Sequence, residues 1–358
     1  MTRIYLDHAA TTPLRSEARE AMLRGFEIWA NPSSPHAEGR AARAALEDAR
    51  ERVKAALRWE GEVVFTSGAS EAAALAFGAA RVGEFLVSAV EHDAVLKAAP
   101  GASVLPVGRD GALDMEALGR ELRAASHPLV AVQTVNSETG NCQDSSAIAA
   151  LVKGGGGLFL VDASQSAGRW ALPDADLVIV SAHKLGGPIG IGALLVRDYA
   201  LLDPAGGQER GYRRGTENLP GALGFAAALE ACRGSIVEKS VNEALDRLSN
   251  TVRTLGGTWH SDCLASPSGQ IHAIAMPAMS GSAQLMRFDL QGIAISQGSA
   301  CSSGSLRGSH VLEAMGVDPD EAARTIRLSV GWSTTREEVE RFGEVWAAMA
   351  RQARERAA

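Results

Sequence analysis

Residues 158–184 read LFLVDASQSAGRWALPDADLVIVSAHK. Two apolar runs stand in this stretch, Leu158 to Val161 and Leu177 to Val180. Both are short and lack the alternation of a half-exposed strand, so each predicts a strand covered on both faces, the habit of a parallel sheet. Ligands of such a sheet gather at the carboxyl ends of its strands. The first run ends there on Asp162-Ala163-Ser164-Gln165 and the second on Ser181-Ala182-His183-Lys184.

Outward from this stretch the pattern repeats. Val63-Val64-Phe65, Phe85-Leu86-Val87 and Leu129 to Val135 are further strand candidates, separated by Ala-rich stretches that read as helices. This βα rhythm predicts an α/β fold with a mostly parallel sheet covered by helices. Glu38 to Arg58 is an amphipathic helix with Leu46, Ala49, Val53, Ala56 and Leu57 on one face. Ile191 to Val196 follows the turn Gly186-Gly187-Pro188 too closely for a helical crossover and is expected as an antiparallel neighbour. Gly154 to Gly157 reads as a helix-to-strand turn.

Two helical stretches, Thr216 to Arg233 and Val237 to Leu255, part near Gly234-Ser235, and the domain boundary is expected there. Residues 15–235 are expected as a large domain, and residues 1–14 with 236–358 as a smaller α+β domain. The latter reads as strand (Ile271 to Met276), helix (Ser282 to Gln291), strand (Ile293 to Ser296), a Ser/Gly-rich loop (Gln297 to Ser305), helix, strand (Thr325 to Val330) and a final helix from Thr335.

Composition removes several classes of function. With 358 residues, 46% of them hydrophobic and 22% charged, the chain is an ordinary globular protein of about two domains. A net charge of −7 and a pI near 5.7 give no basic footprint for nucleic acid or an anionic membrane. No apolar run approaches the ~18 residues of a membrane span, and the opening MTRIYLDHAA lacks a signal-peptide core, so a cytoplasmic protein is expected. The four cysteines, Cys142, Cys232, Cys263 and Cys301, form no CxxC pair, and neither a disulfide framework nor a metal site is expected.

Five of the 35 basic residues are lysines, and Lys184 alone follows a strand; Lys54, Lys97 and Lys239 fall in helical stretches and Lys153 at a helix end. An amine in a largely dry site can lose its proton and condense with an aldehyde. Thr66-Ser67-Gly68-Ala69-Ser70-Glu71 passes from a strand into a helix, where backbone N–H groups and hydroxyls hold a phosphate or where Ser67 or Ser70 caps the helix. Asp162 at a buried strand end needs a cation, several donors or a turn to cap. A phosphate cradle, an acid and a lysine on successive strand ends are together the parts that pyridoxal phosphate requires. His92, after the strand Phe85 to Ser88, could stack on a flat ring, exchange protons, or start a helix. Cys301, in a polar Ser/Gly-rich loop, suits a mobile nucleophile; Cys142 is a weaker loop candidate and Cys232 reads as packing.

These residues resemble the cysteine desulfurases, pyridoxal-phosphate enzymes of the class V aminotransferase group with fold type I, and the resemblance implies seven strands in the mostly parallel sheet. The resemblance runs through Tyr5-Leu6-Asp7-His8-Ala9-Ala10-Thr11-Thr12-Pro13, Asn31-Pro32-Ser33-Ser34, Thr66 to Glu71, Glu91-His92, Val161 to Gln165, Ser181 to Lys184, Arg213-Arg214-Gly215-Thr216, Gly298-Ser299-Ala300-Cys301 and Ile326-Arg327-Leu328-Ser329. It implies that Lys184 forms the internal aldimine, Asp162 pairs with the pyridinium nitrogen, Gln165 contacts the ring phenolic oxygen and His92 stacks on the ring and moves protons. Ala69, Ser70, Ser181 and His183 would hold the phosphate, with Thr216 reaching it from the other subunit of a homodimer. Arg327, through the carboxylate, and Asn31 would bind substrate, and Cys301 would take the sulfur. The implied reaction turns L-cysteine into L-alanine with a persulfide on Cys301, supplying sulfur to an acceptor or scaffold protein for iron–sulfur or other thio-cofactor assembly. A selenocysteine lyase, another class V lyase or aminotransferase, or a non-catalytic sulfur-assembly subunit are the alternatives. This chain has Asn136-Ser137 where that group usually has two asparagines, and Trp332 where many members carry Arg.

Overall fold

A computed structural model describes residues 3–232, 237–298 and 308–357. Cys301 and the expected boundary at Gly234-Ser235 lie outside the described residues.

In chain order the structure begins with β1 (Ile4–Tyr5), α1 (Ser16–Ile28), α2 (Ala37–Leu57), β2 (Glu62–Thr66), α3 (Ala69–Ala79), β3 (Glu84–Ser88), α4 (Asp93–Ala98), β4 (Ser103–Leu105), α5 (Met115–Ala124) and β5 (Pro128–Ala131). There follow α6 (Ser145–Gly154), β6 (Leu158–Asp162), β7 (Leu177–Ser181), β8 (Gly192–Val196) and α7 (Leu219–Cys232). Seven of these strands form one sheet in the order β2-β8-β7-β6-β5-β3-β4. β8 runs antiparallel to both its neighbours, whereas β3 to β7 pair in parallel, as the short Gly/Pro turn before β8 requires.

Strand residues alternate between two buried layers. Val130, Phe159, Val161, Val178, Val180 and Leu195 face a core that includes Leu46 and Val53 of α2 and Phe225 and Leu229 of α7. Leu129, Leu160, Leu177, Ile179 and Leu194 face the other side, against Ala72, Ala76 and Phe77 of α3. That double burial explains the near-continuous apolar runs in the sequence.

The rest comprises α8 (Lys239–Thr254), β9 (Thr258–Trp259), β10 (Ile271–Ala275), α9 (Gly281–Leu290), β11 (Ile293–Ala294), α10 (His310–Ala314), α11 (Pro319–Ala323), β12 (Thr325–Ser329) and α12 (Arg336–Ala357). A three-stranded antiparallel sheet, β12-β10-β9, packs with α8 and α12 around Trp346, Phe342, Phe288 and Leu6. Leu6 reaches this core because β1 pairs in parallel with β11, Ile4 opposite Ile293. That pairing carries the N-terminal segment past the sheet ends and decides the site described next.

The structure departs from the sequence reading in detail. The run Leu129 to Val135 is strand only to Ala131; beyond it the N–H groups of Val132 and Thr134 still bond to the carbonyls of Leu160 and Asp162, while Gln133 and Val135 line the site. The helix expected from Thr216 starts at Leu219. β4 and α1 lie outside the pattern: β4 is a three-residue edge with Ser103 and Val104 exposed, and α1 presents Leu23 and Phe26 to solvent. Among the described residues no helix is long and apolar enough to cross a membrane.

Candidate active site

A cavity of about 520 Å³ opens at the carboxyl ends of β2, β3, β5, β6 and β7. Ala69, Ser70, His92, Asp162, Gln165, Ser181, His183, Lys184 and Arg327 all line it. Residues from both halves of the chain thus converge on one space. Thr216 and Asn31 do not line it; both are exposed, and the Asn31 Oδ1 accepts a 2.9 Å bond from the Ser33 N–H. Asn31 sits just past α1 in a turn that it caps itself.

Lys184 ends a single 3₁₀ turn after β7. Its Nζ donates to the carbonyls of Ala9 at 2.5 Å and Ala10 at 2.9 Å. Its own carbonyl accepts from Thr12 Oγ1 at 3.0 Å and Arg169 Nη2 at 2.9 Å. The N-terminal segment therefore grips both ends of the lysine. His183, beside it, bonds through Nδ1 to Thr11 Oγ1 at 2.5 Å. Burial, and then the Lys184 charge, push the His183 pKa down to about 4, so its ring is neutral near pH 7.

Asp162 closes β6, and its Oδ1 accepts from the Ser164 N–H at 2.8 Å. The turn-capping role is therefore real for one oxygen, and the residue also lines the cavity. Gln165 is fixed by a 2.9 Å bond from Nε2 to the Ala9 carbonyl. His92 likewise does both things expected of it: it caps α4, its Nδ1 accepting from the Ala94 N–H at 3.1 Å, and it faces the cavity. With Nδ1 occupied as an acceptor, the neutral ring carries its proton on Nε2. Burial lowers the His92 pKa, Asp162 opposes that, and Lys184 adds to it.

The start of α3 has the features of an anion cradle. Its cap is Gly68, at φ +153°, and no side chain caps the helix, so neither Ser67 nor Ser70 takes that role. An added Cβ at Gly192 of β8 would lie 2.8 Å from the Gly68 Cα, so Gly192 must lack a side chain for the cradle to approach the sheet. The Ser181 and Ser164 hydroxyls are buried with no hydrogen-bond partner among the described residues. A buried hydroxyl left this way on a cavity wall is a group awaiting a ligand. This donor set, with a lysine amine and a carboxylate across the same space, fits pyridoxal phosphate.

Arg327, on β12, is 3% exposed. Its Nη2 donates to Asp7 Oδ1 at 2.8 Å and its Nη1 to the Ser137 carbonyl at 2.9 Å, while Nε has no partner among the described residues. Asn136 is structural: its Oδ1 accepts from the N–H groups of Glu138 and Thr139, both at 2.9 Å, and its Nδ2 donates to the Val90 carbonyl at 3.1 Å. Ser137 lines the cavity in the next position. Sequence reasoning missed Arg169, which also donates to the Gln165 carbonyl at 3.3 Å and carries no local signal. It missed Glu91 as well, a fully buried carboxyl that accepts from the Gln133 N–H at 2.7 Å. Burial drives the Glu91 pKa well above the carboxylate range, and Asp162 adds to the rise.

Where the described chain resumes beyond Cys301, Ser309 caps α10 and donates to Glu138 Oε2 at 2.5 Å, and His310 Nε2 bonds to the Glu91 carbonyl at 2.9 Å. Ser309 and His310 are therefore held by residues that adjoin Ser137 and His92 of the cavity wall. Of the other cysteines, Cys142 is half-buried, Cys232 buried and Cys263 exposed. Burial pushes the Cys142 thiol up to about 11.

Residues 4–342 match the family model described as aminotransferase class-V. A cysteine desulfurase of Cereibacter sphaeroides is 37% identical, the match covering 96% of this chain and 95% of that one. The cysteine desulfurase IscS 1 of Archaeoglobus fulgidus is 34% identical over 95% of both chains. Among solved structures, a NifS-like protein from Rickettsia africae superposes with a TM-score of 0.87 at 29% identity, over 97% of this chain and 99% of the other.

Proposed function

The chain belongs to the class-V aminotransferase family, and from that premise we propose that it is a pyridoxal-phosphate-dependent cysteine desulfurase supplying sulfur for iron–sulfur cluster or other thio-cofactor assembly. The observation that carries the proposal is the meeting of the Lys184 amine, the Asp162 carboxylate and the Ser181 hydroxyl, which has no hydrogen-bond partner among the described residues, in one cavity of about 520 Å³.

In this reading Lys184 holds the cofactor aldehyde and then moves the proton at the substrate Cα. Asp162 keeps a proton on the ring nitrogen. When bound, the cofactor supplies an electron sink for the charge that develops at Cα. Ala69, Ser70, Ser181 and His183 hold the phosphate, Gln165 meets the ring oxygen, and His92 stacks and presents its Nε2 proton. Arg327, kept in place by Asp7 and the Ser137 carbonyl, binds the carboxylate of L-cysteine. The Cys301 thiol accepts the substrate sulfur: the Cβ–S bond breaks, an S–S bond forms, and the protons of the two thiols are shared between alanine and the persulfide. The persulfide passes to an acceptor or scaffold protein.

The reading extends to a homodimer in the cytoplasm, with the exposed Thr216 serving the partner's phosphate, and it keeps Asn31 as a substrate-binding residue. It divides the chain into a cofactor-holding unit, 15–235, and a second unit of 1–14 with 236–358. Added pyridoxal phosphate should give the protein visible absorption, and L-cysteine with a thiol reductant should yield alanine and sulfide. Lys184→Ala should lose both while keeping its far-UV circular dichroism. Turnover by that variant at the parent rate would overturn the proposal.

A further inference from the structure

The segment between β8 and α7 contains a loop whose backbone is held in a costly shape. Gly206, Gly207, Gly211 and Gly215 have positive φ, and so do two residues with side chains, Glu209 at 49° and Arg210 at 55°. Left-handed backbone at such residues persists only where the surroundings over-determine it, and it marks places where the shape is used.

What fixes the loop is a buried ion pair at the open edge of the main sheet. Glu209 is 3% exposed and Arg50, on α2, is 2% exposed. Arg50 donates to the Glu209 carboxylate through Nη1 at 2.7 Å and Nη2 at 3.2 Å. β2 is the edge strand, and its outward polar groups end on the same pair: the Val63 carbonyl accepts from Arg50 Nη1 at 2.5 Å and the Phe65 N–H donates to Glu209 Oε2 at 2.9 Å. The edge that would otherwise offer unpaired backbone is closed by side chains.

Phe65 stands two residues before Ser67, where the cradle begins. The loop then takes a second hold beyond the cradle: Arg213 Nε donates to Glu71 Oε1 at 2.9 Å, and the other oxygen of Glu71 accepts the Ser67 N–H. Gln208 braces the loop internally by accepting from the Gly215 N–H at 3.0 Å. Both flanks of Ser67–Ser70 are thus tied to one rigid loop, and Glu71 itself lines the cavity.

We infer that Glu209 and Arg213 are positioning residues for the cofactor phosphate: the loop Gly206–Gly215 clamps the cradle at Phe65 and at Glu71 and holds its N–H groups in the spacing a phosphate needs. This rests on the pyridoxal-phosphate reading above. Neither residue lines the cavity, so each acts through Phe65, Glu71 and Ser67. The role therefore concerns the phosphate and leaves the aldehyde and ring contacts at Lys184 and Asp162 untouched.

The test compares two probes on cofactor-free protein, pyridoxal phosphate and pyridoxal without the phosphate, each titrated by visible absorption. For Arg213→Ala the affinity for pyridoxal phosphate should fall at least ten-fold and that for pyridoxal should change less than two-fold. Inorganic phosphate should compete with pyridoxal phosphate less well in the variant than in the parent. Arg213→Lys, which keeps a cation within reach of Glu71, should recover most of the loss and guards against a folding defect in the alanine variant. Equal losses for both probes, or none for either, would overturn the inference while leaving the cofactor assignment standing. A parent protein that bound neither probe would overturn the cofactor assignment itself, and this inference with it.

Discussion

Asp7 and Arg327, 320 positions apart, form a 2.8 Å ion pair in which Arg327 is 3% exposed. Asp7 is in turn held by Ser296, whose Oγ donates to Oδ2 at 2.7 Å. The N-terminal segment is therefore part of the site, since it neutralises the guanidinium there and supplies the carbonyls of Ala9 and Ala10 to Lys184.

Removing Asp7 leaves a buried cation without a counter-charge, and breaking one side of such a pair typically costs about 3 kcal/mol or more. Asp7→Ala should lower the stability of cofactor-free protein by about that amount in urea unfolding. The guanidinium also loses its orientation, so KM for L-cysteine should rise several-fold with a smaller change in kcat. A variant as stable as the parent would show that the pair contributes nothing net.

The approach of β8 to the cradle gives a second expectation. A Cβ at Gly192 would meet the Val180 carbonyl oxygen at 2.6 Å and the Gly68 Cα at 2.8 Å, both of them backbone atoms that cannot step aside cheaply. Gly192→Ala should cost about 1–3 kcal/mol of stability by overpacking and weaken pyridoxal-phosphate binding by moving Gly68. Gly78, where an added Cβ meets nothing within 4 Å, is the control: Gly78→Ala should leave binding unchanged. Equal binding in both variants would separate the cradle from the Gly192 contact.

Burial sets the acid response. His8, His183 and His272 have pKa values lowered from 6.5 to about 4, each chiefly by burial. A histidine whose folded pKa is depressed gives its full stabilisation above 6.5 and loses it as the pH falls from 6.5 towards 4. Each such group contributes a slope of up to about 1.4 kcal/mol per pH unit in that window. Glu91, with its pKa raised from 4.5, acts in the opposite sense above 4.5 but is one group against three. Urea midpoints of cofactor-free protein should therefore drop between pH 7 and pH 5. His272→Phe should flatten that drop, and an unchanged slope would remove His272 from the account.

How much of this was legible in the sequence depended on where the signal lay. Lys184, Asp162 and His92 could be picked out because each follows an apolar run, and a polar residue at a buried strand end must meet something. Six strands of the main sheet, the antiparallel β8 among them, followed from run lengths and one Gly/Pro turn, whereas the short, mostly exposed edge strand β4 carries no apolar run to read. Arg169, Glu91 and the Arg50–Glu209 pair could not be read in the same way. Their roles come from contacts between segments distant in the chain, as with Glu209 reaching Arg50 across 159 positions, and no local pattern announces such a pair. Asn31 was placed with the substrate through the resemblance, whereas the single chain turns it to solvent.

The last expectation concerns which cysteine receives the sulfur. Only a thiolate attacks readily, and a thiol pushed up to about 11 by burial, as Cys142 is, exists as thiolate in about one molecule in a thousand at pH 8. Cys232 is packed at 1% exposure, where the substrate sulfur has no access to it. Cys263 is exposed but is not among the residues lining the cavity. By contrast, the family resemblance gives the acceptor role to Cys301, and the described chain that resumes beyond it is tied beside the site through Ser309 to Glu138 and His310 to Glu91. A single turnover without reductant should place one extra sulfur on the peptide that contains Cys301, read by mass spectrometry, and none on the other three. Brief iodoacetamide treatment at pH 8 should label Cys263 at least ten-fold faster than Cys142 or Cys232. Cys301→Ser should still bind L-cysteine, since Lys184, Asp162 and Arg327 are intact, yet release no alanine. Extra sulfur on Cys142 would move the acceptor role to that residue, and alanine formed with sulfur on no cysteine would mean that the sulfur leaves the site directly.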